Sequence, residues 1–347
     1  MNLKIAGGCG EHGRNCFFVD YTAPFLVDCG IMAGADKPFP NLTENEIKRL
    51  EYVFLTHSHA DHTGALPWLY ERGFSGVIVA AAPTLEQLPF KPKYSVALKK
   101  LHGEIGGIKF AHGRSGHCQG AVWYEFHIAG KKLLFSGDYT ENSLMYHCDP
   151  ICDRTADIAV IDCAYGRDSR SFSECCSDLT SAVSEMKEQH RTIIFPVPKY
   201  GRGIDLLRLF NKKFPEMTCC GDDCFMSQMN ELSERRWFMN KTLYARLYTP
   251  GTACDILFLS DPQLRSSYSQ NITESILASG GAAIMTGTPE PDTASERLIK
   301  SGKMKFLRYP VHQNHDEFTE LVKRNKFRRV IPFHSAELSV GDGMIEF

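Results

Sequence analysis

The motif HSHADH, which begins at His57, constrains this chain more than any other feature. It follows a short apolar segment, residues 52–55, that is typical of a buried strand. Strand alternation predicts that His57, His59 and Asp61 point to one side, while the turn that follows brings His62 back toward them. Neutral imidazole and carboxylate are ligands that suit zinc, and a single loop leaves coordination positions open for water. The alternative is a polar surface loop with coincidental histidines.

The composition allows a packed core but gives no global attraction to nucleic acid. Hydrophobic residues make up 43% of the chain, and 39 Lys plus Arg stand against 41 Asp plus Glu, a net charge of −2. Any surface that binds phosphate groups must therefore be local. At 347 residues the chain exceeds the usual size of a single core, so we expect one large domain with an insertion, or two domains.

The 13 cysteines are scattered without a C-x-x-C pair, which favours reduced thiols that serve as small apolar residues. The N-terminal residues lack the apolar core of a signal peptide, and no apolar run approaches the roughly 18 residues that a membrane-spanning helix needs. We therefore expect a cytoplasmic protein without a membrane partner. The sequence does not predict the oligomeric state.

Short apolar segments rich in β-formers alternate with helical patterns along the chain. Strands are predicted at residues 25–28, 52–56, 76–80, 121–127, 132–136, 158–162, 192–196, 256–259, 282–286 and 329–333. Helices are predicted at residues 63–72, 172–188, 203–213 and 315–325. The turn Ala129-Gly130-Lys131 predicts a hairpin. Mixed sheets covered by helices are the expected architecture.

Further polar residues stand where predicted strands end. Asp28, His117 and Asp138 each have a glycine nearby, and singly each is typical of a turn. Together they add the imidazole and the carboxylates that the first loop lacks for two metal sites. The same pattern recurs late in the chain at Asp162, His315 and His334.

These motifs resemble those of the metallo-β-lactamase superfamily, and most closely its β-CASP branch, which includes the pre-mRNA 3′-end processing endonuclease and bacterial RNase J. The resemblance rests on Gly7-Gly8, Gly13-Arg14-Asn15-Cys16, Asp28-Cys29-Gly30, the His57 motif, Gly116-His117, Ser136-Gly137-Asp138, and the three later motifs at Asp162, His315 and His334. It implies an α/β fold: an αββα metallo-β-lactamase sandwich (residues 1–166 and 309–347) with an inserted, shortened β-CASP α/β domain (residues 167–308). The short segments between motifs indicate a compact member.

The resemblance also implies a cofactor, two Zn²⁺ ions. His57, His59 and His117 would hold the first ion, Asp61, His62 and His334 the second, and Asp138 would bridge the two. Asp28 would accept a hydrogen bond from a ligand imidazole and so fix its tautomer.

The implied reaction is hydrolysis of a phosphodiester by a hydroxide that the two ions hold, with Asp61 among the catalytic residues. His315, oriented by Asp162, would protonate the departing oxygen as general acid. His312 competes for that role, because Glu317 stands where the family has aspartate two residues after the acid. A purely structural hydrogen-bonded pair is the alternative for Asp162 and His315.

Single-stranded RNA is the expected substrate, because in the resembling family a histidine at the position of His334 accompanies RNA cleavage. Local basic groups such as Lys91, Lys93, Lys99 and Lys100 are candidates to contact its backbone, although most such residues are solvated surface. The alternatives are a DNA nuclease, a hydrolase of small phosphoesters or thioesters, and a catalytically silent binding partner. The presence of every expected ligand disfavours the silent partner.

Overall fold

The computed structural model describes residues 1–189, 192–337 and 344–346, and the chain divides into two compact units. The first unit comprises Met1–Asn142, His147–Ser169 and His312–Phe347; the second comprises Ser143–Tyr146 and Arg170–Val311. The segment Ser143–Tyr146 belongs to the second unit although it lies well before the insertion predicted from the sequence. The expected boundaries at residues 166 and 308 stay predictions.

The first unit opens with twelve strands and four short helices. The strands are β1 (Asn2–Gly7), β2 (Cys16–Asp20), β3 (Phe25–Val27), β4 (Tyr52–Phe54), β5 (Val77–Ala80), β6 (Ser95–Ala97), β7 (His102–Ile105), β8 (Ile108–Arg114), β9 (Val122–Ile128), β10 (Lys131–Phe135), β11 (Thr155–Ala156) and β12 (Ile158–Asp162). The helices are α1 (Glu44–Arg49), α2 (Ala60–Thr63), α3 (Leu66–Glu71) and α4 (Ala82–Gln87).

The second unit contains strands β13 (Ile193–Pro196), β14 (Cys219–Gly221), β15 (Arg246–Leu247), β16 (Ile256–Leu259), β17 (Ala282–Met285) and β18 (Lys305–Phe306). Its helices are α5 (Phe172–Gln189), α6 (Arg202–Lys213), α7 (Asp223–Asn230), α8 (Ser267–Ala278) and α9 (Ala294–Lys300), with a 3₁₀ turn at Glu231–Ser233. The chain then returns to the first unit with α10 (His315–Lys323), β19 (Lys326–Phe327), β20 (Val330–Phe333) and β21 (Met344–Glu346).

Two mixed sheets form the first unit. The seven-stranded sheet has the order β21-β1-β2-β3-β4-β5-β6, antiparallel from β21 to β3 and parallel from β3 to β6. The six-stranded sheet has the order β20-β12-β10-β9-β8-β7, in which β20, β12 and β10 run parallel and the rest antiparallel. The HSHADH motif thus follows a strand of the seven-stranded sheet, and the later candidates Asp162 and His334 lie at or just after the ends of strands of the six-stranded sheet.

Aromatic side chains fill the space between these two sheets. Phe54 of the first sheet packs against Phe126, Phe110 and Tyr124 of the second, with ring centroids 4.9 Å, 5.4 Å and 5.7 Å away. Phe17 contacts Phe135 and Phe333 in the same way. Burial of such large apolar rings is the main favourable contribution to folding here.

Helices cover the outer face of each sheet, which completes the αββα sandwich. On the first sheet, Val53 and Leu55 point away from Phe54 and pack with residues of α1 and α3 such as Ile47 and Leu66. This alternation between two buried faces explains why the segment has no polar residue. On the second sheet, α10 packs Leu321 against a cluster that includes Trp123, Leu134 and Ile161. The α/β sandwich fold predicted from the sequence is confirmed.

The second unit is built on a parallel sheet of its own. Its strand order is β15-β14-β16-β13-β17-β18, and all five pairings are parallel. The central strands β13 and β16 are buried along their whole length, as strands of a parallel sheet covered on both faces should be. This additional α/β sheet agrees with the second domain expected from the sequence.

All ten predicted strands exist, with ends shifted by at most a few residues. The hairpin is also confirmed: β9 pairs with β10 across Ala129 and Gly130, which both have positive φ as a two-residue turn requires. No helix in the described part of the chain is long and apolar enough to cross a membrane.

Candidate metal centre

Six strands of the first unit end beside the same group of polar side chains. The residues at or just after these carboxyl ends are Asp28 (β3), His57 (β4), His117 (β8), Asp138 (β10), Asp162 (β12) and His334 (β20). Polar residues at the carboxyl ends of strands are the usual place for a binding site in a sheet of this kind.

The HSHADH motif does not continue as a strand, so the predicted alternation of side chains is wrong. His59 is the N-cap of helix α2, and the amide of His62 donates to the His59 carbonyl at 3.0 Å. Asp61 and His62 therefore lie on one helical turn and His57 lies on the strand exit. The turn, instead of strand alternation, brings the four side chains together.

Close backbone contacts hold α2 in place against the residue that precedes β2 and the chain that follows β3. The amide of Asn15 donates to the Asp61 carbonyl at 2.8 Å, and the amide of Cys29 donates to the His62 carbonyl at 2.8 Å. A Cβ atom at Gly30 would lie 1.6 Å from the Asp61 carbonyl oxygen. The glycine of the Asp28-Cys29-Gly30 motif is therefore required by the approach of the ligand loop.

A first group of ligand atoms comes from His57, His59, His117 and Asp138, whose donor atoms all lie within 4.8 Å of one another. The Nε2 atoms of His57 and His117 are each 3.4 Å from Oδ2 of Asp138. His117 Nε2 is 3.1 Å from His59 Nδ1. Three imidazoles and one carboxylate oxygen thus surround one point.

A second group consists of Asp61, His62, Asp138 and His334, again within 4.8 Å. His62 Nε2 and His334 Nδ1 lie 3.0 Å and 3.2 Å from Oδ1 of Asp138, and His334 Nε2 lies 3.2 Å from Oδ2 of Asp61. Asp138 therefore faces the first group with one oxygen and the second group with the other. The structure brings together all seven ligands that the family resemblance implied.

The electrostatics of this cluster fit metal ions. His57, His62 and Asp138 are almost fully buried, and the Nε2 of His57 has no hydrogen-bond partner among the described residues. Burial alone would raise the pKa of Asp138, but His62, His334 and other imidazoles outweigh it and hold the pKa well below the usual range. A buried carboxylate that stays ionised among imidazole nitrogens is a ready ligand for cations.

The two groups differ in their preference for protons. Burial and the neighbouring His62 lower the pKa of His57 well below its ordinary value, so that this imidazole is neutral. Burial also disfavours the charged form of His334, yet the carboxylates of Asp138 and Asp61 prevail and raise its pKa to about 10. The first group is therefore ready to bind a cation, whereas a cation at the second group must displace protons.

Asp28 supports the cluster from behind. Its Oδ2 lies 2.8 Å from Nδ1 of His62, and it accepts hydrogen bonds from the amide and hydroxyl of Thr56, both at 2.8 Å. Because an ionised carboxylate only accepts, Nδ1 of His62 carries a proton, and Nε2 is the nitrogen that faces Asp138. Asp28 adopts φ of 59°, a left-handed backbone conformation that aspartate tolerates better than most residues.

The expected contact between His315 and Asp162 is wrong, because His312 occupies that position. The Nδ1 of His312 lies 2.8 Å from Oδ2 of Asp162, and its Nε2 lies 3.9 Å from Oδ2 of Asp138. His315 is the first residue of α10, which Asn314 and Glu317 begin with a capping box. Within the part of the chain that the structure describes, its Nδ1 has no hydrogen-bond partner, and its backbone amide donates to the Asp168 carbonyl.

Two residues near the cluster were not assigned a role from the sequence. His12 packs edge-on against His334 with ring centroids 5.5 Å apart. The side-chain nitrogen of Asn15 lies 2.9 Å from Nε2 of His62 and 3.5 Å from Oδ2 of Asp61. Asn15 stands in the Gly13-Arg14-Asn15-Cys16 motif of the family resemblance, and that motif is the sequence signal that indicates it; no sequence pattern singles out His12.

Comparisons with known proteins agree with this geometry. Residues 9–168 match the family described as the metallo-beta-lactamase superfamily. The chain is 25% identical to cleavage and polyadenylation specificity factor 73 of Drosophila melanogaster over 248 residues, which covers 61% of this chain and 36% of that protein. It is 26% identical to transcription termination factor FttA of Methanothermobacter thermautotrophicus over 246 residues, covering 59% and 38%.

A third relative is ribonuclease TTHA0252 of Thermus thermophilus, 25% identical over 206 residues, covering 52% of this chain and 48% of that protein. This chain thus spans less than half the length of each of these three relatives. A crystal structure of a protein of unknown function from Enterococcus faecalis matches with a TM-score of 0.64 over 99% of both chains at 13% identity, which shows a common fold. With the sandwich fold and a buried His/Asp cluster fit for two metal ions, the matched region, residues 9–168, belongs to the metallo-β-lactamase superfamily.

Proposed function

We propose that this chain is a zinc-dependent ribonuclease of the β-CASP type that hydrolyses single-stranded RNA. The observation that carries the proposal is Asp138, whose two oxygens face two groups of imidazoles in a buried cluster. A shared carboxylate between two sets of nitrogen ligands is the arrangement that places two cations side by side, as hydrolysis of phosphodiesters requires.

The residues present divide the work of holding two ions. His57, His59 and His117 would take one ion and Asp61, His62 and His334 the other, with Asp138 between them. When bound, two zinc ions would lower the pKa of a water molecule and supply the nucleophile. Imidazole and carboxylate ligands favour zinc, and Asp28 would hold His62 in the tautomer that binds it.

His312 is the candidate for the general acid in place of His315. Asp162 binds its Nδ1, so Nε2 is the nitrogen that faces Asp138 and the cluster. From there it would donate a proton to the oxygen that departs from phosphorus, which otherwise leaves as a costly alkoxide. Asp162 itself receives the amides of Tyr139 and Ala164 at 2.9 Å and 3.0 Å, so its carboxylate is firmly positioned.

Two observations support RNA as the substrate. The relatives include a cleavage and polyadenylation factor and a ribonuclease, although this chain covers less than half of each. His334 also takes the position at which the resembling family has a histidine in its RNA-cleaving members.

The 13 cysteines form no disulfide within the described residues, in keeping with a cytoplasmic site of action.

Product analysis tests the proposal. The zinc-loaded protein is incubated with end-labelled single-stranded RNA and with DNA of the same sequence, and the product ends are identified. We expect faster cleavage of RNA and products that carry a 5′-phosphate, because a water-derived nucleophile attacks phosphorus. Products with a 2′,3′-cyclic phosphate contradict the mechanism, and equal cleavage of DNA contradicts the RNA preference. Hydrolysis of small esters without cleavage of RNA would support neither the proposed mechanism nor the RNA preference.

A further inference from the structure

Each sheet of the first unit has an end strand on the open side of the sandwich. These end strands are β6 in the seven-stranded sheet and β7 in the six-stranded sheet. A pocket of about 380 Å³ opens there and contains residues of both strands and of β5 and β8. Its apolar lining includes Val79, Val96, Leu98, Ile105 and Phe110. A pocket of this size and character accommodates apolar side chains of a ligand.

Strand β6 is the end strand of its sheet, and its outward backbone groups pair with no other strand of the described residues. The amide of Ile78 donates to the Tyr94 carbonyl, and the amide of Leu98 donates to the Ala80 carbonyl. This register turns the backbone groups of Val96 toward β5, so those of Ser95 and Ala97 point away from the sheet. An exposed strand edge of this kind is a template for another strand.

Most exposed side chains on and next to β6 are apolar or positively charged. Tyr94 and Val96 are 51% and 43% exposed, and Leu101 is 59% exposed, which is unusual for large apolar residues. The lysines of this segment are exposed and have no ion-pair partner among the described residues; they are Lys91, Lys93, Lys99 and Lys100. Glu104 is the single carboxylate among the residues that line the pocket.

We propose that β6 and the adjoining pocket bind an extended acidic segment of a partner protein. The segment would pair its backbone with Ser95 and Ala97, place alternate apolar side chains in the pocket, and direct its carboxylates to the lysines. A second copy of this chain does not fit, because pairing β6 with itself would bring lysines against lysines. Single-stranded RNA would use the lysines but neither the strand edge nor the apolar lining.

A designed peptide tests this surface. The probe is a fluorescein-labelled eight-residue peptide in which valine or leucine alternates with glutamate, and its counterpart has lysine in place of each glutamate. Binding to the full chain is measured by fluorescence anisotropy. Three variants remove one feature each: Ala97→Pro removes an outward amide, Val96→Asp places a carboxylate at the pocket, and Lys99→Glu reverses a charge. Lys303→Glu, in the second unit, is the matched control.

We expect the acidic peptide to bind more tightly than the lysine peptide, and each of the three variants to weaken it at least tenfold while Lys303→Glu does not. Thermal unfolding of each variant shows whether it is folded. If Ala97→Pro does not fold, Val96→Asp still tests the surface. Equal binding of both peptides, or affinity unchanged in Val96→Asp, overturns the proposal. Displacement of the acidic peptide by single-stranded RNA with sensitivity to Val96→Asp would assign the surface to RNA instead.

Discussion

The imidazole of His312 is held by Asp162 at one nitrogen and faces Asp138 with the other. If His312 is the general acid, His312→Ala should lower turnover on single-stranded RNA by about two to four orders of magnitude while zinc content is retained. His315→Ala is the matched control and should stay within a few-fold of the unchanged protein. Single-turnover kinetics and metal analysis measure both quantities.

The opposite pattern, with His315→Ala inactive and His312→Ala near normal, would return the acid to His315. Loss of zinc in His312→Ala would instead make His312 a metal ligand.

Asp28 permits a clean test of how a supporting carboxylate acts. Asp28→Asn retains a side chain that tolerates the positive φ and can still accept from the Thr56 amide, but its nitrogen replaces the oxygen that faces His62. Zinc affinity should fall about 10- to 100-fold, the range for lost supporting contacts at metal sites. Asp20→Asn, at the end of β2, is the control. Competition with a chromophoric chelator measures the affinity, and an unchanged value refutes the positioning role of Asp28.

At this scale the sequence predicts residue types better than pairings. The seven ligands were recognisable because imidazoles and carboxylates stand at strand ends, where side chains converge. The predicted helix at residues 315–325 begins where α10 begins, but the exchange of His312 for His315 depends on which side chain near that start reaches Asp162, a contact between residues distant in sequence. The capping box of Asn314 and Glu317 was readable in the sequence and sets that start, which leaves His312 in the preceding loop beside Asp162.

Among the elements, α6 carries a buried acid that should make stability depend on pH. Asp205 is almost fully buried, and accepts hydrogen bonds from the Met145 amide at 2.8 Å and the Ser143 hydroxyl at 2.9 Å. Burial raises its pKa from 3.8 to about 7, against these hydrogen bonds, which lower it. Between pH 4 and pH 7 the unfolded chain releases a proton that the folded chain keeps, so stability falls as pH rises.

Asp205→Asn removes the ionisation but retains an oxygen acceptor. The variant should lose this pH dependence and exceed the original protein in free energy of unfolding at pH 8, by about 4 kcal/mol at most. Denaturant unfolding at pH 5 and pH 8 measures the difference. If both proteins show the same change in unfolding free energy between these pH values, Asp205 does not titrate in this range.

Several of the elements that sequence patterns missed have an evident physical cause. Strands β6 and β7 lie at sheet ends, where many side chains are exposed, so they lack the apolar pattern that marked β4 or β12. Helix α2 spans one turn, too short for a helical period to appear in the sequence. Central strands such as β12, β13 and β16 were correctly predicted because their apolar runs are continuous, whereas β2, which is also buried, was not predicted.

For the whole molecule, the fold could be predicted from the family resemblance and from the alternation of strands and helices. Which residues belong to each of the two units could not be predicted. Residues far apart in sequence, from Asp28 to His334, meet in the first unit because their strands belong to its two sheets. The transfer of Ser143–Tyr146 to the second unit depends on the buried Asp205, a contact between distant residues that no local pattern contains.

Zinc titration of turnover tests most directly whether one centre bridged by Asp138 hydrolyses RNA. The protein is stripped with a chelator, and cleavage of single-stranded RNA is measured as zinc is added back in known equivalents. We predict no turnover without zinc and a rise that reaches its plateau at two equivalents, because the two ligand groups share Asp138. Full turnover without zinc, or a plateau at one equivalent, would contradict this account.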